Sequence, residues 1–240
     1  MSGWNDYLTE RDKRHLEVWG KKGSEELGGK PVLLVIDVYY ASVGHERKPL
    51  MESIKDWPMS CGLDGWEAID RMAGVIAAAR EQGVPVVYIR NLTEFPSDKL
   101  RVAERGNRAG HDTRQLPPEI RALANEIVAE VAPRPGELVI GKAAPSAFAG
   151  SPLLQYLLMT GADTVIVCGE STSGCVRASV VDAQTHRYRV GIVEDCCYDR
   201  TQASHWINLF DMHQKYGEVI KATQAIDYFK TLPTATPQEN

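Results

Sequence analysis

Long apolar runs are missing from this sequence. The longest, such as Pro31 to Asp37 and Thr164 to Cys168, fall far short of the roughly 20 residues that a membrane-spanning helix needs. The first residues, MSGWNDYLTERDKRHLEVW, are charged and amphipathic and lack the apolar centre of a signal peptide, so a cytoplasmic location and no membrane partner are expected. Basic blocks are also missing: 27 Lys and Arg stand against 32 Asp and Glu, a net charge of −5, and the basic residues occur singly or in scattered pairs. That leaves no electrostatic footprint for nucleic acid. Cysteine is sparse. Five residues, an odd and widely spaced set, make no disulfide framework and point to free thiols, at least one of which is available for its reactivity.

Two nucleotide signatures are absent as well. No G-x-G-x-x-G follows the first apolar run, where Val38-Tyr39-Tyr40 stands instead, which removes the usual dinucleotide site. Gly169 to Gly174 has the glycine spacing of a phosphate loop, but Cys175 occupies the place where that loop needs Lys.

What is present is an alternation. Five apolar runs, Pro31 to Asp37, Val84 to Arg90, Glu137 to Gly141, Thr164 to Gly169 and Tyr188 to Glu194, are followed by a weaker sixth, Glu218 to Lys221. Between them lie helical patterns at Asp64 to Gln82, Pro118 to Val131, Ser151 to Thr160, Val176 to His186 and Ala203 to Lys215. Short runs alternating with amphipathic stretches signal βαβ units. The expected fold is therefore α/β: a Rossmann-like, doubly wound, mostly parallel sheet of about six strands with helices on both faces. With 43% apolar residues one sizeable core is affordable. We expect one domain over 30–231, a helical arm over 1–29 and a loose tail over 232–240, with a long loop at Asn91 to Pro117.

Ligands of open parallel sheets bind at the carboxyl ends of the strands. There the pattern places Asp37, Lys142, the segment Gly169-Glu-Ser-Thr-Ser-Gly-Cys175, and Asp195-Cys-Cys-Tyr-Asp-Arg200. A thiol before a helix feels the positive end of the helix dipole, and with a neighbouring cation such as Lys142 it is favoured as thiolate. Asp37 would take the thiol proton and return it to a leaving nitrogen. The backbone N–H groups of Ser171 and Cys175 would hold an oxyanion. Read singly, each residue has a plainer explanation: a small core Cys, a helix-capping Asp, a solvated Lys. Their joint occurrence at three strand ends favours chemistry.

The segments VLLVIDV, GK before A-P-S-A-F, and GESTSGCVRA resemble those of the isochorismatase-like cysteine hydrolases over about Lys30 to Lys221. The resemblance implies an Asp37-Lys142-Cys175 triad, a thioester acyl-enzyme formed as ammonia leaves, and a cis peptide at Glu170-Ser171. Within the family the likeness is strongest to N-carbamoylsarcosine amidohydrolases and then to maleamate amidohydrolases. They share the STSGCVRA segment, the stretch ending in Arg200 and the Asn208 to Tyr216 helix. It implies that Arg200 clamps a substrate carboxylate, a role suited to the guanidinium fork. Thr172 and Ser173 would add hydroxyl contacts, unless they cap the helix.

The metal-binding branch of the family has histidines where Met59 to Ala68 has none, so no catalytic metal and no cofactor are expected. Cys196 and Cys197 are read as small buried residues or a redox pair, Tyr39 and Tyr40 as pocket wall or core. The expected partner is a small amide or ureido compound with a carboxylate, N-carbamoylsarcosine first and maleamate or another N-carbamoyl amino acid next. A homodimer or homotetramer is expected from the resemblance. The reading from a different class is a thiol redox sensor or binding module without catalysis.

Overall fold

The computed structural model describes residues 3–20, 26–92 and 116–233. Most of the expected loop, part of the arm and most of the tail lie outside them. Six strands form one sheet: β1 (Pro31–Ile36), β2 (Val86–Asn91), β3 (Leu138–Lys142), β4 (Thr164–Glu170), β5 (Arg189–Tyr198) and β6 (Glu218–Ile220), in the order β3-β2-β1-β4-β5-β6. All neighbouring pairs are parallel. The helices are α1 (Glu10–Trp19), α2 (Tyr40–Val43), α3 (Leu50–Asp56), α4 (Gly62–Glu81), α5 (Pro118–Ala122), α6 (Leu153–Thr160), α7 (Arg177–Thr185), α8 (Gln202–Lys215) and α9 (Ala222–Thr231).

The apolar runs are continuous because the central strands are buried on both faces, as parallel sheets require. In β1, Leu33 and Val35 join one core with Ile69, Met72, Val75 and Ile76 of α4 and Phe229 of α9. Val32, Leu34 and Ile36 join a second core with Leu153 and Leu157 of α6, Val180 of α7 and Leu209 and Met212 of α8. These alternating residues (period two) thus split between two helical layers, and the doubly wound α/β fold read from the sequence is the fold observed. The chain winds from β1 toward β3 on one side and from β4 toward β6 on the other. The order reverses between β1 and β4, and the crevice at their carboxyl ends is where such sheets bind ligands.

Three boundaries differ from the sequence expectation. The helix expected over 118–131 stops at Ala122 and gives way to single 3-10 turns at Leu123–Asn125 and Ala129–Val131. Between them Ile127 bridges Tyr39, the Glu126 carbonyl accepts the Tyr40 N–H, and the Val128 N–H bonds the Val38 carbonyl. Pairing with the chain leaving β1 has overridden helical periodicity. β5 runs four residues beyond Glu194, past a register shift between Val167 and Gly169. Cys196 and Cys197 therefore lie within a strand, buried in opposite cores. Finally, α9 closes the α4 face where no helix was expected.

Gly169 lets β4 lie against the end of β1. Its φ is +122°, and a Cβ there would fall 2.0 Å from the Ile36 carbonyl oxygen. Gly169→Ala should cost about 3 kcal/mol from strain plus overpacking. Urea unfolding read by circular dichroism would show this as a lower midpoint; an unchanged midpoint would contradict the close approach.

Candidate active site

Each of the four adjacent strands β3, β2, β1 and β4 delivers one polar group to the crevice. Asp37 leaves β1 with φ +53°, a left-handed conformation that Asp tolerates better than most residues and that turns its carboxylate into the crevice. Lys142 ends β3, Asn91 ends β2, and Cys175 lies in the turn after β4. Lys142 Nζ is 2.7 Å from Asp37 Oδ2, 3.3 Å from Cys175 Sγ and 3.1 Å from Asn91 Oδ1. The other Asp37 oxygen accepts a 2.8 Å bond from the Tyr39 hydroxyl, which itself accepts the Asn91 N–H. Asp37 and Lys142 are each only 2% exposed, while Cys175 is half-buried and the other four cysteines are buried. One ammonium thus sits between a carboxylate and a thiol, its three contacts made to Asp37, Asn91 and Cys175 at the ends of β1, β2 and β4.

The electrostatics modify the expected thiolate. Burial and the neighbouring Asp37 push the Cys175 thiol up to about 12, against the opposing pull of Lys142. The α-helix proper begins only at Arg177, two residues further on, so its dipole acts on Cys175 from a distance at which it fades. At rest the sulfur is a thiol, with the Lys142 ammonium donating to it. Burial alone would lower Lys142, but Asp37 and Cys175 beside it hold its pKa above the ordinary value. The Tyr39 hydroxyl is raised by burial and by Asp37, and stays a donor.

The turn that carries Cys175 is a single wide turn, Thr172–Val176. The Glu170-Ser171 peptide is cis, and the Ser171 carbonyl accepts the Gly174 and Val176 N–H groups. Thr172 is fully buried, its hydroxyl 2.8 Å from His205 Nδ1 of α8. Burial lowers His205 to about 4, so it meets Thr172 as a neutral imidazole. Ser173 is exposed and donates its N–H to Asp199 Oδ2, while Asp199 Oδ1 accepts the Arg200 N–H. Asp199 thereby stitches the Cys175 turn to the Arg200 loop. The Arg200 guanidinium places Nη2 2.6 Å from Glu170 Oε1. Neither Thr172 nor Ser173 caps α7, which has no side-chain cap.

The sequence expectation named Asp37, Lys142 and Cys175, which the fold brings together, and Arg200, Ser171, Thr172 and Ser173, which surround the Cys175 turn. It missed Asn91, Asp199, Glu170 and His205 and left Tyr39 unassigned. Asn91 was within reach of the same rule that found Asp37 and Lys142, since it too is the polar residue ending a parallel strand. Among the described residues no three His, Cys, Asp or Glu side chains gather as metal ligands.

A doubly wound sheet with an ammonium between a carboxylate and a thiol at its switch point is the arrangement that the resemblance to the isochorismatase-like cysteine hydrolases implies. Residues 59–224 match the Isochorismatase domain. The chain is 34% identical over 234 residues to a maleamate amidohydrolase of Pseudomonas putida, covering 95% of this chain and 99% of that one. It is 32% identical over 213 residues to an N-carbamoylsarcosine amidase of Arthrobacter sp, covering 86% and 74%. Among solved structures, an N-carbamoylsarcosine amidase from Thermoplasma acidophilum superposes with a TM-score of 0.59 at 25% identity, covering 80% of this chain and 96% of that one. The protein belongs to the isochorismatase family and is a hydrolase of it, with amidohydrolases among its relatives.

Proposed function

We propose that the protein is a cysteine amidohydrolase that cleaves the C–N bond of a small amide or ureide carrying a carboxylate, such as N-carbamoylsarcosine or maleamate. The observation that carries this reading is the convergence of Asp37 and Cys175 on the Lys142 ammonium. A thiol raised to about 12 needs a base within reach at neutral pH. Asp37 takes the proton as Sγ attacks the carbonyl carbon, and Lys142 stabilises the thiolate that develops. The oxyanion is received by the Ser171 and Cys175 N–H groups. Asp37 then passes the proton to the departing nitrogen, the C–N bond breaks, and ammonia leaves a thioester. A water molecule gives its proton to Asp37 and attacks the thioester. The acid departs, and the proton returns to Sγ. From N-carbamoylsarcosine the acid is a carbamate that falls to sarcosine and carbon dioxide; from maleamate it is maleate.

Arg200 is the anchor for the substrate carboxylate, with Thr172 and Ser173 beside it. The near-complete coverage of the maleamate amidohydrolase favours maleamate as the second reading within the same chemistry. The thiol's raised pKa counts against a peroxide sensor, which reacts as an accessible thiolate. The family likeness also supports a homodimer or homotetramer.

Ammonia release from a panel of N-carbamoylsarcosine, maleamate, other N-carbamoyl amino acids and nicotinamide tests the reading. We expect turnover of a carboxylate-bearing member at least about 10²-fold above nicotinamide in kcat/KM. Equal turnover of nicotinamide, or none of any member, would overturn it.

A further inference from the structure

Arg200 is the cation offered to a carboxylate substrate, yet the site already holds more negative than positive charge around it. Glu170, the last residue of β4, is 7% exposed and sits behind the guanidinium at 2.6 Å. The contact is close but not aligned as a hydrogen bond, and Glu170 Oε1 has no hydrogen-bond partner among the described residues. Asp199 adds a second carboxylate, which among the described residues accepts the Ser173 and Arg200 backbone N–H groups. Lys142 is already committed to Asp37. The Arg200 side thus holds two carboxylates against one guanidinium before any substrate arrives, and a substrate would make three.

Among the described residues, the other groups that face Glu170 add one cation, Lys142, and it is already paired with Asp37. Asp37 at the end of β1 and Asp199 raise its proton affinity. Tyr198 beside it on β5 and Cys61 before α4 are buried and held as neutral hydroxyl and thiol. Arg200 and Lys142 pull the other way but do not prevail. A buried carboxyl with an unsatisfied oxygen, next to the guanidinium a ligand must share, has a simple way to relieve the conflict, which is to take a proton.

We propose that Glu170 is a proton-linked counter-charge to Arg200: when the substrate carboxylate binds the guanidinium, Glu170 takes up one proton from solvent. The proposal rests on Arg200 being the carboxylate anchor. Burial outweighs Arg200 in setting Glu170 to about 7 in the empty site, so near neutrality a fraction of the chains must gain the proton on binding. The sign follows. Binding is tightest below about 7, where Glu170 is already protonated, and weakens as pH rises above it, until the pKa of the occupied site is reached. Glu170 acts through Arg200 and touches no reacting atom, so it is a positioning residue that sets affinity.

The test uses the full chain with Cys175→Ala, so that ligand binds without turnover, and calorimetry of maleamate and N-carbamoylsarcosine in two buffers of different ionisation enthalpy. At pH 7 we expect uptake of about half a proton per ligand, and a Kd that rises at least about fivefold between pH 7 and 8.5. Adding Glu170→Gln should abolish the uptake and flatten the Kd profile to within about twofold. A pair that merely props the loop would move neither quantity. Binding without uptake, a flat Kd profile, or uptake that survives Glu170→Gln would overturn the role of Glu170 alone; no binding of either ligand would overturn the carboxylate-amide reading beneath it. Should Glu170→Gln fail to fold, the Kd profile of the Cys175→Ala chain decides by itself.

Discussion

Cys175→Ala should cut ammonia release by at least about 10⁴-fold, because it removes the sulfur on which the covalent intermediate forms. Circular dichroism and the unfolding midpoint should be essentially unchanged, since the side chain is only half-buried and lies at the margin of the second core. Chemical modification gives the same result by an independent route. Cys61, Cys168, Cys196 and Cys197 are buried, so iodoacetamide should label the native chain once, at Cys175, with loss of turnover in proportion. The labelling should be slow at pH 7 and quicken steadily as pH rises, because a thiol at about 12 is almost wholly protonated at neutrality. Turnover that persists in Cys175→Ala, or that survives complete labelling, would remove the covalent mechanism.

The parts of the site legible in the sequence were those fixed by strand direction. In a parallel sheet every strand ends on the same side, so a polar residue closing an apolar run is placed in the crevice without knowledge of register. That logic reaches Asp37 and Lys142, Asn91 answers to it too, and Cys175 is legible as the thiol between the β4 run and the helical pattern after it. The partners of those residues depend on which strands are neighbours. Asn91 meets Lys142 because β2 pairs with β3 in a register that sets the two residues side by side. Glu170 meets the Arg200 loop because β5 continues beside β4 to Tyr198. The sequence shows neither fact: the register shift at Gly169 and the four-residue extension of β5 leave no pattern distinct from a loop. The broken helix at 118–131 has the same origin, since apolar residues at helical spacing serve equally well to clamp Tyr39 and Val38.

Asp37 and Lys142 should respond to mutation with opposite signs in thiol reactivity and the same sign in turnover. Asp37→Asn removes the base, and kcat should fall by about 10² to 10⁴. It also removes the charge that raises Cys175 while leaving Lys142, which lowers it. The disabled enzyme should therefore be alkylated faster than wild type at the same pH. Lys142→Met should lower turnover too, but with the cation gone and Asp37 retained its thiol should be alkylated more slowly. A site in which Lys142 merely supports the fold would show no such inversion. Stability discriminates further. The pair is almost wholly buried, so removing either partner leaves a lone charge in a poorly polarisable setting, at a cost of about 3 to 5 kcal/mol. The double variant Asp37→Asn/Lys142→Met leaves neither charge, and its unfolding midpoint should lie above that of both single variants. If the double variant is instead less stable than either, the two side chains contribute to the fold separately. The ammonium would then not be held in place chiefly by the carboxylate it is paired with.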